Sequence, residues 1–178
     1  SEDILLDLAD SQTPQGIVAV VQKEEVGQAD FSQGKFLFLE DVQDPGNVGT
    51  IIRTADAAGF TGVIVSDKSA DIYSLKTLRS MQGSHFHLPI YRMSSQRLLE
   101  GAKEAGIPVL ATTLSKDSVD YRELPPIENF VLVMGNEGQG ISPLMAESAD
   151  QLVHISMKGQ AESLNVAVAA GILIFHLS

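Results

Sequence analysis

Short runs of β-branched, aliphatic and aromatic residues recur along the chain at 16–21, 36–39, 62–65, 107–112, 130–134 and 152–155. They are almost continuously apolar rather than alternating, the pattern of parallel strands covered on both faces. The segments between them change to a helical pattern. Residues 48–58 predict a helix with Asn47 as its N-cap and Gly59 ending it in the left-handed conformation. A second helix is predicted over 95–105, closed by Gly106 and then Pro108, and a short one begins at Pro143 behind Ser142. The last, over 163–176, is too apolar for a surface helix: from Val166 to Phe175 it holds only apolar side chains and one glycine. Something must cover it. Strands alternating with helices predict an α/β fold, a mostly parallel sheet with helices on both faces. Residues 1–15, acidic and ending on Thr13-Pro14, read as a linker or lead-in segment, and 16–178 as one domain.

Composition narrows the class. With 178 residues, 44% hydrophobic and 20% charged, the chain reads as an ordinary soluble domain. No apolar run reaches the roughly 18 residues of a membrane span, and no signal-peptide pattern is present. The absence of cysteine excludes disulfides and thiolate metal sites and suits a cytoplasmic setting. His85, His87, His154 and His176 lack metal-ligand spacing, so no metal is expected. A net charge of -11 argues against a simple nucleic-acid binder, because phosphate contacts need Lys and Arg. The distribution qualifies that objection. Residues 1–50 hold ten acids and two bases, whereas 51–110 hold five acids and seven bases, with His85 and His87 besides. The middle of the chain can face a polyanion; the first fifty residues cannot.

Ligands of open parallel sheets sit beyond the carboxyl ends of the strands. Three polar or glycine-bearing loops leave predicted strands in that direction. The first runs from Glu40 through Asp44-Pro45-Gly46-Asn47 into the helix holding Arg53 and Thr54; the second is Gly135-Asn136-Glu137-Gly138-Gln139-Gly140; the third runs from Ser156 to Asn165. Taken singly, each is explained as a tight turn. Neither a dinucleotide fingerprint nor a phosphate loop is present, since 135–140 spells GxxGxG.

Together the loops carry three ordered motifs. Asn47-Val48-Gly49-Thr50-Ile51-Ile52-Arg53-Thr54-Ala55, Val133-Met134-Gly135-Asn136-Glu137-Gly138-Gln139-Gly140-Ile141, and Ile155-Ser156-Met157-Lys158-Gly159 followed by Ser163-Leu164-Asn165-Val166-Ala167-Val168-Ala169 resemble those of the SpoU (TrmH-like) family of RNA ribose 2′-O-methyltransferases. The resemblance covers nearly everything from Gly16 onward. Ser156 stands where the family usually has Pro, and Ala167 where it often has Ser.

The resemblance implies a deep C-terminal trefoil knot, which patterning never reveals. It also implies a homodimer with its active site at the subunit interface, and S-adenosylmethionine as cofactor without a metal. Gly135, Ile155 and Leu164 carry over as cofactor contacts, with Met134, Asn136, Met157 and Thr112 as weaker additions. Asn47, Arg53, Glu137, Ser163 and Asn165 carry over as the polar catalytic group. Arg53 is the family's proposed activator of the 2′-hydroxyl; a fixed guanidinium is better suited to stabilising a developing alkoxide or holding a phosphate than to acting as a base. The implied substrate is RNA, ribosomal ahead of transfer RNA. Residues 5–21 resemble the connector that follows a small RNA-binding domain in many members. Two alternatives stand beside this reading: a knotted methyltransferase acting on a base nitrogen, and a catalytically silent RNA-binding domain.

Overall fold

The structure, a computed structural model, describes residues 16–23 and 26–178; the expected lead-in over 1–15 lies outside them. Its elements in chain order are β1 (Lys35–Leu39), α1 (Pro45–Ala57), β2 (Gly62–Val65), α2 (Leu75–Met81), β3 (Ile90–Arg92), α3 (Ser95–Ala105), β4 (Val109–Thr112), β5 (Val119–Asp120), β6 (Phe130–Met134), α4 (Pro143–Ser148), β7 (Gln151–His154) and α5 (Val166–Leu177). Short 3₁₀ turns occupy Ser84–Phe86 and Tyr121–Glu123. The strands form one seven-stranded sheet in the order β3-β2-β1-β6-β4-β7-β5, and every neighbouring pair is parallel.

Alternate side chains of the same strands feed two cores. Leu37, Leu39, Leu132, Met134, Val63 and Val65 meet Ile51, Ile52 and Ala55 of α1 and Leu173 and Ile174 of α5. Phe36, Phe38, Val131, Val133 and Ile64 meet Leu98 and Ala102 of α3 and Met145 of α4. Both faces of the central strands are therefore buried, which is why their sequences are apolar throughout. The α/β architecture with helices on both faces is as the pattern predicts.

Register and connection sense create the crevice. Leu39 pairs with Met134, and Ala111 with Val133, so β1, β6 and β4 end nearly level. From β1 the chain turns onto the α1 face, whereas from its neighbour β6 it turns onto the α4 face. The loops after two adjacent strands thus diverge, the arrangement that opens a ligand crevice in parallel sheets.

Several expectations change. Residues 16–21 form no strand: they are exposed, with Ile17 85% and Val20 100% accessible, because no neighbouring strand pairs with them. The first helix starts three residues earlier than expected. Pro45 is preorganised for its first turn and Asp44, not Asn47, caps it, accepting the Asn47 amide at 2.9 Å. Gly59 does adopt the expected positive φ, 73°. Helix α5 begins at Val166 with Asn165 as its cap, leaving Ser163 and Leu164 in the preceding loop. Strands β3 and β5, of three and two residues, and helix α2, of seven, are too short to leave a periodic signal. Gly49 brings α1 and α2 together: a Cβ there would meet the Ser80 Cβ and the Thr77 carbonyl at 2.5 Å. Helix α5 buries Val166, Ala170, Leu173, Ile174 and Leu177, yet Val168 (52%) and Phe175 (58%) stay exposed on its outer side.

Candidate active site

Asn47 in the first turn of α1, Glu137 in the loop after β6 and Asn165 at the cap of α5 form one hydrogen-bonded chain. The Glu137 carboxylate accepts from the backbone amides of Gln43 and Asp44, both at 3.3 Å, and from Asn47 Nδ2 at 3.1 Å. Asn47 Oδ1 in turn accepts from Asn165 Nδ2 at 3.1 Å, and Asn165 Oδ1 accepts the Ala167 and Val168 amides as the cap of α5. A carboxylate only accepts, so every donor in this chain has its direction set by Glu137 at one end and by the helix N-terminus at the other. Burial pushes the Glu137 carboxyl up, but the donors Asn47, Gln43, Asp44 and its own backbone together outweigh it, leaving it below its ordinary value.

The second loop is closed on itself. Asn136 and Gly140 exchange backbone hydrogen bonds of 2.9 Å, Asn136 Oδ1 accepts from the Gly138 and Gln139 amides, and Asn136 Nδ2 donates to the Asp41 carbonyl at 2.8 Å. Gly135 permits that closure: a Cβ would sit 2.3 Å from the Gly140 carbonyl carbon and 2.5 Å from the Ile141 nitrogen. Its requirement for glycine is therefore met by the loop's own backbone, before any ligand is considered.

A cavity of about 230 Å³ opens between the ends of β4, β6 and β7 and the start of α5. Thr112, Met134, Gly135, Asn136, Ile155, Met157 and Leu164 all line it, as do Glu137 and Ser163. All seven expected cofactor contacts thus surround one space. Its walls combine apolar side chains (Met134, Ile155, Leu164, Val166, Leu173) with the polar groups of Thr112, Asn136 and Glu137, which suits a planar base carrying a polar tail. The volume is below the roughly 300–1,000 Å³ of typical ligand clefts, so a nucleoside-sized group would also lie against the exposed residues 158–164. Among the described residues no group of three or more His, Asp or Glu side chains is placed to hold a metal.

Arg53 stands apart. It is exposed on α1, does not line the cavity, and makes no hydrogen bond or ion pair among the described residues. It lies six residues beyond Asn47, about 120° further around the helix, on the side where Gly49 meets α2. The chain by itself does not bring Arg53 to the other four polar residues.

Glu40 was not foreseen. Only 3% exposed, it accepts from Ser95 Oγ at 2.5 Å, the Ser142 amide at 2.8 Å and Ser142 Oγ at 2.8 Å. A buried carboxylate needs such donors, and here they tie the end of β1 to the starts of α3 and α4. Its sequence signal, one acid directly after an apolar strand, is too common to single out. A larger hollow, about 800 Å³, lies at the β3 edge between residues 26–32 and α3, remote from these loops.

The sequence model of the SpoU rRNA Methylase family matches residues 34–175. The chain is 45% identical over 177 residues to the 23S rRNA (guanosine(2553)-2′-O)-methyltransferase RlmP of Bacillus subtilis, covering 99% of this chain and 70% of that protein. Among solved structures, the AdoMet-bound rRNA methyltransferase from Sinorhizobium meliloti matches with a TM-score of 0.77 at 43% identity, over 80% of this chain and 55% of that one. The SpoU methyltransferase AviRb from Streptomyces viridochromogenes, in complex with AdoMet, matches with a TM-score of 0.71 at 36% identity, over 85% and 60%.

Proposed function

The chain belongs to the SpoU rRNA methylase family, and from that premise we propose that it transfers a methyl group from S-adenosylmethionine to a ribose 2′-hydroxyl of RNA, ribosomal RNA ahead of transfer RNA. The observation that carries this reading is the single cavity lined by all seven expected cofactor residues, with the Asn165–Asn47–Glu137 chain at its side. S-adenosylmethionine supplies a methyl group on a cationic sulfur, whose departure as a neutral thioether needs no metal.

The chain's own residues do the rest. Gly135, Ile155 and Leu164, with Met134, Asn136, Met157 and Thr112, hold the cofactor; Thr112 Oγ1 donates to the Val133 carbonyl at 2.9 Å, so toward a ligand it acts as an acceptor. Glu137 and Asn47 orient the ribose, and Ser163 and Asn165 close the site beside them. Arg53 stabilises the alkoxide that develops at the 2′-oxygen or holds the adjacent phosphate.

Arg53's distance from the cavity supports an active site shared between two copies, the arrangement expected of the family. Val168, the half-buried Ile172 and Phe175 form an i, i+4, i+7 apolar stripe on the outer face of α5, which supports a homodimer. The trefoil knot belongs to the same reading. His176 packs edge-on against Tyr121 at 4.8 Å and the chain's last residues share a hollow with residues 124–128, so the segment between β5 and β6 wraps the end of α5. No helix among the described residues is long and apolar enough to cross a membrane, and a ribosomal substrate supports a cytoplasmic setting.

The test is labelled-methyl transfer to ribosomal RNA, with the modified nucleotide identified by its loss in a strain lacking the protein. Incorporation at a ribose 2′-oxygen supports the reading; incorporation at a base nitrogen, or none, overturns it.

A further inference from the structure

We infer that Ser156 is a positioning residue for the methyl-donor loop: its hydroxyl fastens residues 155–164 to His154, and through it to Ser118, and so sets how tightly the cofactor is held. The inference rests on the reading of the cavity as the methyl-donor site.

Residues 155–164 form neither helix nor strand, and they make no backbone–backbone hydrogen bond among the described residues. At its far end the loop is secured by Asn165, which caps α5 and reaches Asn47. At its near end the hydrogen bonds among the described residues come from Ser156 alone. Its Oγ lies 3.3 Å from His154 Nε2. The residues on either side of it, Ile155 and Met157, both line the cavity. A shift of Ser156 therefore moves two cavity walls at once.

The anchor is rigid. Asp120 is buried at 7% exposure and sits on the edge strand β5, paired in register with His154 of β7. Arg122 donates to both carboxylate oxygens, from Nε at 2.6 Å and Nη2 at 2.8 Å. Arg122 above all holds this carboxyl far below the usual carboxylate range. It remains an anion and only accepts. Ser118 Oγ donates to the Ser115 carbonyl at 2.7 Å, so with the ring proton on His154 Nδ1, Nδ1 donates to Ser118 Oγ and Nε2 accepts the Ser156 hydroxyl. On its other side His154 Nδ1 meets Ser118 Oγ at 3.0 Å, which joins the loop after β4 to the same network. The network holds the loop at the cavity's edge, where His154 is itself one of the lining residues.

The experiment measures S-adenosylmethionine and S-adenosylhomocysteine binding by calorimetry, and donor KM and kcat, for the full-length protein and its Ser156→Ala and Ser156→Thr variants. Ser156→Ala should weaken binding about 3- to 10-fold, the range for one lost hydrogen-bonded link, and raise the donor KM while kcat at saturating donor stays near normal. Ser156→Thr keeps the hydroxyl and should restore both. Because Ser156 is exposed, the ligand-free melting temperature should not move. Ser118→Ala should weaken binding in the same sense, and the double variant Ser156→Ala/Ser118→Ala should add little to it. Unchanged affinity in Ser156→Ala, a Thr variant as weak as Ala, or a loss confined to kcat would overturn the inference while leaving the cofactor site standing. Failure of the unaltered protein to bind either compound would overturn both.

Discussion

Because Asp44 caps α1, the Asn47 side-chain carboxamide is free to join Glu137 to Asn165. The consequence at the level of single residues is a site whose polarity depends on Glu137 staying ionised. Its carboxyl stands below its ordinary 4.5 in the folded chain. A depressed carboxyl contributes stability that is present above its unfolded value and lost as pH falls through the folded one. The three-loop arrangement should therefore hold at neutral pH and loosen below about pH 4.5. Thermal melts across that window should show an acid limb that Glu137→Gln makes shallower; an identical limb in both proteins would remove this role. Arg53 makes a different kind of claim. Arg53→Ala should lower single-turnover methyl transfer about 10²- to 10³-fold, the range for losing one stabilising donor. Cofactor affinity should barely change, since Arg53 does not line the cavity. Arg53→Lys keeps the charge without the planar fork and should recover only part of the rate. Near-normal turnover in Arg53→Ala would pass the role to Glu137 or Asn165.

Among the elements, α1 sets the position of the first loop, and its start is held from two sides. Asp44 accepts the Asn47 amide as a cap and also receives Lys76 Nζ of α2 at 2.9 Å. That ion pair, first of all, and the cap hold the Asp44 carboxyl below its usual range. Asp44→Ala should cost about 0.5–2 kcal/mol of stability through the lost cap alone, read from urea unfolding. Lys76→Ala should cost less, because an exposed ion pair contributes little. If the two variants were equally stable, the cap would not be what starts the helix. The contact of α1 with α2 through Gly49 is what brings Lys76 within reach, so the loop's geometry is built by helix packing rather than by the loop's own sequence.

For the molecule as a whole, the exposed stripe on α5 and the isolation of Arg53 make one prediction together. The protein should be a homodimer at micromolar concentration in light scattering, and Phe175→Glu together with Val168→Glu should yield a folded monomer. That monomer should still bind S-adenosylmethionine weakly while losing methyl transfer, because the cavity lies within one chain and Arg53 does not reach it there. A monomeric unaltered protein with full activity would sink the shared site. Charge gives the complementary view: the net of -11 leaves RNA attraction to the middle of the chain, where Lys68, Lys76, Arg79, Arg92 and Arg97 lie.

The amino-acid sequence by itself determined the layered α/β class, since β1 beyond Lys35 and all of β6 are apolar at inward and outward positions alike and only a sheet covered on both faces accepts such strands. It also determined which loops matter, because Gly135, Glu137, Arg53 and Asn165 sit in ordered motifs whose residues survive any shift of element boundaries. The tertiary structure alone decided who touches whom. Asn47 looked like a cap and became the middle of a side-chain chain, Glu137 gained donors from residues ninety or more positions away, and Gly135 met its steric requirement inside its own loop. Glu40 left no readable signal, because its partners come from helix starts distant in sequence. Local propensity and hydrophobic period act over a few residues, and they specify elements; hydrogen-bond partners across loops exist only after the sheet has set its strand order and register.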